Sequence, residues 1–359
     1  MPGALIGLLT LVDHLPEPDS GERISARQRI DEVIAEALIA EDVGFERFAV
    51  GEHHFSDYIL SNPSLVLAAI AAGTSDIRLM TAVSLLACRD VVQMAEDIGI
   101  VDSISNGRLE ISVARGVSEQ ASRAFGVPRD QVYAILEDKL QRLLSIFRDG
   151  RVDDLAVQPP PVQRPHPPVW IGGGLSVAST DLAVSYGLPL ILPSLFRYPE
   201  DYLPMIERYR DGMRRAGRAD QIRVALPSHC WVGATSQGAR ARFRPYLEQY
   251  VSFARPLRDG FGRPLDFEGL IRGPAICGSP AEVVDRISEI NERLDLDIHL
   301  LKMDAGGVPF GALRESLELM GSDVLPHLVP PAARDNGADG ADRGDVGGRV
   351  AIDEEQVGV

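Results

Sequence analysis

The sequence is poor in cysteine and histidine, short of positive charge, and without any long apolar run. Its three cysteines, Cys88, Cys230 and Cys277, lie far apart and in no metal-binding spacing. An odd, sparse set of thiols excludes a disulfide framework and fits a reducing, cytoplasmic compartment. No stretch approaches the roughly 20 apolar residues of a membrane-spanning helix. The apolar N-terminus, Met1 to Val12, has no basic lead and no small-residue cleavage site. It runs into a turn at Asp13-His14-Leu15-Pro16 and reads as a first strand rather than a signal peptide. Lys and Arg number 36 against 52 Asp and Glu, a net charge of −16. That excess of acid argues against nucleic acid and acidic membrane surfaces as partners. Several catalytic signatures are missing too. There is no Gly-x-x-x-x-Gly-Lys-[Ser/Thr] loop, no Gly-x-Ser-x-Gly elbow and no His-Glu-x-x-His helix.

What is present is alternation. Strand signals fall at Ala4–Val12, Glu46–Gly51, Ile77–Leu86, Arg108–Ala114, Val169–Gly172, Leu188–Leu192, Ile222–Val232 and Ile298–Met303. Helical periodicity lies between and after them, at Ala26–Asp42, Pro63–Gly73, Arg89–Ser105, Asp130–Phe147, Ser176–Tyr186, Pro199–Ala216, Gly238–Ala254, Pro280–Leu294 and Phe310–Met320. Asn62 and Pro63 form a cap and first-turn pair. Eight strands, each with a helical partner, predict an α/β fold, a (β/α)8 TIM barrel over residues 1–329. A doubly wound sheet is the alternative, but no Gly-x-Gly-x-x-Gly turn follows the first strand. Residues 330–359 are rich in Gly, Asp and Arg and predict a flexible acidic tail.

In such a barrel the residues just past the strands share one face. One of these places holds Glu52-His53-His54, two of only 7 histidines side by side. Imidazole moves protons near neutral pH, although a histidine at a strand end also serves as a structural hydrogen-bonder. If the pair is extended the two rings diverge, so they make a poor chelate. Across the face, Arg115 follows the fourth strand and Gly172-Gly173-Gly174 precede Ser176 and Ser179. Free N–H groups and hydroxyls at a helix start attract phosphate, and Arg115 would add positive charge. Equally, Ser176 is a plain helix cap and the glycines a point of close packing. Cys88, before Arg89, reads as a buried thiol at a helix start.

Taken together, the motifs resemble the bacterial luciferase-like flavin monooxygenases, alkanal monooxygenase subunits in particular. The likeness runs from about Leu5 to His327. It is carried by Glu52-His53-His54-Phe55, Asn62-Pro63, Thr81-Ala82-Val83, Val92 to Asp97, Asp102 to Arg108, Ala114-Arg115-Gly116, Phe125-Gly126, Pro168-Val169-Trp170, Gly187-Leu188-Pro189 and Gly278-Ser279-Pro280. The resemblance implies a TIM barrel that binds reduced FMN at its C-terminal face and uses O2 to insert one oxygen atom into a small organic substrate. It implies a separate flavin reductase as the source of reduced flavin, and a homodimer formed through helices near the second and third βα units. By position, His53 matches the catalytic histidine, flanked by Glu52 and His54. Arg115, Ser176 and Ser179 match phosphate-binding positions beside Gly173 and Gly174. Ala82-Val83 matches a segment where the family holds a non-prolyl cis peptide beneath the flavin ring. The chain departs from light-emitting relatives at Ala114, where they carry a reactive cysteine, at Tyr133, where a second phosphate-site arginine stands, and over residues 243–272. Two rival readings remain open: a deazaflavin-dependent hydride-transfer enzyme, and a non-catalytic flavin-binding partner subunit.

Overall fold

The computed structural model describes residues 4–116, 118–173, 176–193, 195–255 and 266–328. The expected tail, 330–359, lies outside them, as does Gly174.

Strand and helix alternate from the start. Leu5–Thr10 (β1) leads through Ala26–Val43 (α1) to Arg47–Val50 (β2), and Pro63–Gly73 (α2) leads to Arg78–Thr81 (β3). Val91–Ile104 (α3) precedes Leu109–Val113 (β4), followed by Glu119–Ala124 (α4) and Val132–Asp149 (α5). A short hairpin, Arg151–Val152 (β5) with Leu155–Ala156 (β6), opens the Pro-rich crossing to Val169–Gly172 (β7). Then come Val177–Tyr186 (α6), Leu190–Ile191 (β8), Leu203–Arg215 (α7), Val224–Val232 (β9), Ser236–Ala254 (α8) and Phe267–Arg272 (α9). Ala275–Gly278 (β10), Pro280–Leu294 (α10), Ile298–Lys302 (β11) and Phe310–Asp323 (α11) complete the chain as described.

Eight strands pair in parallel in the order β1, β2, β3, β4, β7, β8, β9, β11, and β11 pairs back onto β1. This is the closed TIM barrel that the alternation predicts. A further strand, β10, pairs with the far half of β9. The sequence pattern did not show it, because it is four residues long and flanked by glycine. The predicted third strand stops early, at Thr81 rather than Leu86. There the Ala82–Val83 peptide is cis, and Leu86–Cys88 forms a 3-10 turn. Asn62 caps α2 through the Ser64 N–H, with Pro63 in the first turn, and Asp90 caps α3 through the N–H groups of Val92 and Gln93.

Two apolar layers hold the barrel. Between strands and helices lies the larger one, into which α5 turns Val132, Leu136, Leu140, Leu143, Ile146 and Phe147. Inside the barrel lies a smaller one, built from Leu9, Ala49, Met80, Trp170, Ile191, Ala225, Ile298 and Leu300. The strands' two-residue period puts alternate side chains into each layer.

Charge closes both ends of the interior. At the entry end Glu110 accepts from Arg47 (3.1 Å), Arg78 (2.6 Å) and the Trp170 indole (3.0 Å). Burial pushes the Glu110 carboxyl up, but the two guanidiniums outweigh it and hold it below its ordinary range. At the exit end Lys302 is fully buried and donates to Asp13 (2.7 Å) and Asp304 (2.6 Å), while Arg29 and Thr10 also bond Asp304. Beside this group sits Glu36, fully buried, with no hydrogen-bond partner for either carboxyl oxygen. Burial, reinforced by the Asp304 charge, raises its pKa well above the ordinary value.

A raised pKa means that Glu36 takes up a proton on folding. Its contribution is complete below the unfolded pKa and is lost as pH rises through the folded one. Glu36→Gln is therefore expected to match the wild-type melting temperature near about pH 4 and to exceed it near about pH 8. Calorimetry across that range checks the sign.

Candidate active site

The face where the strands end gathers the residues picked out from the sequence. Past β2, Glu52, His53 and His54 sit on a loop tied down at its root. Glu52 is 3% exposed, and both its oxygens are engaged. Oε1 accepts from His54 Nε2 at 3.0 Å; Oε2 accepts from the Leu85 N–H at 3.2 Å and from Arg89 at 3.3 Å. The Glu52 N–H donates to Val83 O at 3.2 Å. Arg89 in turn bonds Asn62 and Asp97. One carboxylate thus joins the histidine loop, the cis bulge and the approach to α3.

The two histidine rings diverge, as the sequence implies. His54 turns to Glu52 and packs edge-on against Phe125, with centroids 4.8 Å apart. His53 stacks on Tyr58, with centroids 4.0 Å apart and ring planes 21° apart. The Ala82–Val83 bulge lies next to them. It requires Gly51, where a Cβ would come within 2.5 Å of Leu11 and 3.2 Å of Ala82 O. It also requires Gly172, where a Cβ would meet Ala114 at 2.8 Å and Val83 at 3.2 Å.

Across the face, Arg115, Ser176 and Ser179 converge, and Tyr133 of α5 joins them. The Tyr133 hydroxyl donates to Ser176 Oγ at 2.7 Å, and the Arg115 guanidinium lies 5.1 Å from the Tyr133 ring centroid. Ser176 is the N-cap of α6, yet its side chain makes no capping bond. Its hydroxyl is committed to Tyr133 instead, which removes the plain-cap reading. Burial raises the Tyr133 phenol, but its hydrogen bonding with Ser176 and Ser179 and the Arg115 charge outweigh it, and the net shift is downward. One guanidinium, three hydroxyls and a ten-residue helix's N-terminus form a donor set suited to a phosphate monoester. Tyr133 was visible in the sequence only as a departure from arginine.

A wall of rings covers the mouth of the barrel beside the bulge. Tyr58 lies 4.9 Å from Phe253 between ring centroids, and His229 lies 4.9 Å from Tyr250 and 5.6 Å from Phe196. The Tyr58 and Tyr250 hydroxyls are 2.8 Å apart. Nothing local in the sequence marks this wall, because its members come from four separate segments.

Other chemistries find no support. Burial pushes all three thiols up, Cys277 to about 12, so none is poised as a nucleophile. Cys88 is half-buried in the 3-10 turn before α3. Among the described residues no group of three or more His, Cys, Asp and Glu side chains could hold a metal, and no helix is long and apolar enough to cross a membrane.

Comparison with known proteins adds a family. A family profile described as luciferase-like monooxygenase matches residues 5–296. The chain is 24% identical over 336 residues to the oxygenase component of a flavin-dependent trigonelline monooxygenase from Acinetobacter baylyi, covering 85% of this chain and 92% of that one. Among solved structures, the oxygenating constituent of 3,6-diketocamphane monooxygenase from Pseudomonas putida, in complex with FMN, aligns with a TM-score of 0.77 at 21% identity, covering 92% and 100% of the two chains. A coenzyme F420-dependent tetrahydromethanopterin reductase from Methanopyrus kandleri aligns with a TM-score of 0.69 at 18% identity, covering 91% and 99%. At such identities the two structures establish a shared barrel.

The engagement of Glu52 makes a stability prediction. Glu52→Ala leaves Arg89 and His54 facing a buried void and is expected to cost about 3–5 kcal/mol. Urea denaturation measures it; a loss under about 1 kcal/mol would show that the carboxylate holds nothing.

Proposed function

The chain belongs to the luciferase-like monooxygenase family, and on that premise we propose that it is a flavin-dependent monooxygenase using reduced FMN and O2. The observation that carries the reading is the anion cradle of Arg115, Tyr133, Ser176 and Ser179, set across one face from His53. The named flavin dependence of the trigonelline relative supports it. Reduced FMN, when bound, supplies the electrons with which one atom of O2 enters the substrate and the other leaves as water.

The protein's own part is binding, orientation and proton handling. Arg115, Tyr133, Ser176 and Ser179 would hold the phosphate, together with the N-terminus of α6. Gly173 belongs to the same turn: a Cβ there would come within 2.6 Å of Leu190. Ala82 and Val83 would support the flavin's ring system. His53 would hold or deliver a proton from an imidazole nitrogen during oxygen transfer. We assign Glu52 and His54 to positioning, because their polar atoms bond each other and the loop around them. Tyr58, Phe196, Tyr250 and Phe253 exclude water and give a small organic substrate an apolar wall.

Electrons reach the site from a separate flavin reductase. The protein works in the cytoplasm as a homodimer. The dimer reading rests on α2, which carries no charged side chain, together with exposed apolar residues on α2 and α3: Leu65 (70%), Ile100 (46%) and Ile104 (44%). Leu65→Glu is expected to give a monomer in light scattering after gel filtration; an unchanged mass overturns that assembly.

The phosphate cradle would also accept a deazaflavin, and the reductase's barrel shows that this fold carries such chemistry. Stopped-flow mixing with O2 separates the readings: the complex with reduced FMN is oxidised rapidly, and a complex with reduced deazaflavin is not. A non-catalytic subunit would show no turnover alone, and its His53→Ala variant would change nothing. The proposed role for His53 instead requires a loss of about 10²–10⁴ in oxygenation rate. Arg115→Ala and Tyr133→Phe are expected to weaken FMN by roughly 10-fold or more and to leave riboflavin, which has no phosphate, unaffected. Fluorescence quenching of both ligands checks this. Equal losses for FMN and riboflavin would place the phosphate elsewhere.

A further inference from the structure

The chain has two lysines among its 36 basic side chains, Lys139 and Lys302. Lys139 donates to the carbonyls of Ala87 and Arg89. Lys302 is different: it is sealed inside the barrel, at the exit end of the last strand. Ile298 and Leu300, on the same face of β11, belong to the interior layer, and Lys302 continues that row. A buried ammonium is costly unless compensated, and here two carboxylates compensate it.

The compensation reaches the active-site loop by two routes. Asp13, whose other oxygen accepts from the Gly306 N–H at 2.8 Å, lies in the turn after β1. The backbone of that turn pairs with the segment around Tyr58. An isolated antiparallel bridge joins Asp13 to Tyr58, His14 N–H donates to Asp57 O at 2.7 Å, and Ile59 N–H donates to Val12 O at 3.1 Å. The second route runs through rings. Lys302 Nζ lies 5.1 Å from the Tyr250 ring centroid, and the Tyr250 hydroxyl accepts from that of Tyr58 at 2.8 Å. Both routes end on Tyr58, whose ring stacks on His53 at 4.0 Å.

We infer that Lys302 is a positioning residue: through Asp13 and Tyr250 it fixes the Tyr58 ring, and so sets the height and tilt of the His53 imidazole. Relevance to turnover rests on the role given to His53 above; the positioning itself does not. Lys302 never touches the reacting atoms. A cation is needed because only a multivalent donor satisfies Asp13 and Asp304 together while facing an aromatic ring. Arginine would present its donors in a planar fork, a different geometry from the ammonium that serves both carboxylates here.

The test is NMR on full-length protein with ring-labelled histidine and tyrosine, His53 being assigned by its loss in His53→Gln. In the wild type, nuclear Overhauser contacts join the His53 and Tyr58 rings. In Lys302→Met those contacts are expected to be lost and the His53 signals to shift. In Tyr250→Phe, which keeps the ring over the ammonium and removes the hydroxyl bond, they are expected to weaken. Glu36→Gln alters the neighbouring buried carboxyl without removing a hydrogen bond of Lys302, Asp13 or Tyr250, and is expected to leave the His53 signals where they are. If Lys302→Met fails to fold, Tyr250→Phe together with Tyr58→Phe still decides the ring route. Unchanged His53–Tyr58 contacts in the folded variants overturn the inference, as does an equal shift in Glu36→Gln. Displaced contacts beside full activity in His53→Ala would leave the positioning standing and refute the catalytic role of His53.

Discussion

Charge sealed inside the two ends of a closed barrel is the constraint on which the rest depends. Eight parallel strands all end on one face, which brings β2, β3, β4 and β7 together although their ends are up to about 120 residues apart in sequence. Apolar side chains fill the middle of the interior. Glu110 with its two arginines occupies one end, and Lys302 with its two aspartates the other. Each group is expensive to bury and expensive to break, so each fixes the geometry around it. At the exit end, that geometry underlies the candidate site.

The face divides into two halves with different physical characters. One half is a polar cradle of a guanidinium, three hydroxyls and a helix N-terminus. The other is a ring wall with His53 at its edge. Between them lies the cis bulge at Ala82–Val83, held by the Glu52 backbone and by the close approach of Gly51 and Gly172. A ligand with a phosphate at one end and a flat ring system at the other fits the sequence of these features. Glu52 ties the histidine loop to that bulge and to Arg89.

Much of the fold was legible because it is written in local periods. The bounds of β7 and α2 follow from short apolar runs and from Asn62-Pro63, and all eight barrel strands carry their own signal. The third strand was misjudged because the bulge at Ala82–Val83 keeps the apolar composition of a strand while breaking its path. β10 was missed because its three apolar residues, Ala275 to Cys277, sit between Gly273-Pro274 and Gly278-Ser279-Pro280, which read as a turn, and α9 because six residues give too little helical period. In the site, His53, Arg115 and Ser176 were legible because each stands just past a strand. Tyr58 and Tyr250 were not, since their bond spans 192 positions and leaves no local trace. Tyr133 was visible only as a departure from arginine; its hydroxyl donates to Ser176.

The measurement that tests the account most directly is a crystal structure of the protein with FMN. The account predicts the phosphate within about 3 Å of Arg115, Tyr133 and Ser176, the ring system resting on Ala82–Val83, and His53 facing its reactive edge. A phosphate held anywhere else on the barrel, or no bound FMN at saturating concentration, would contradict it.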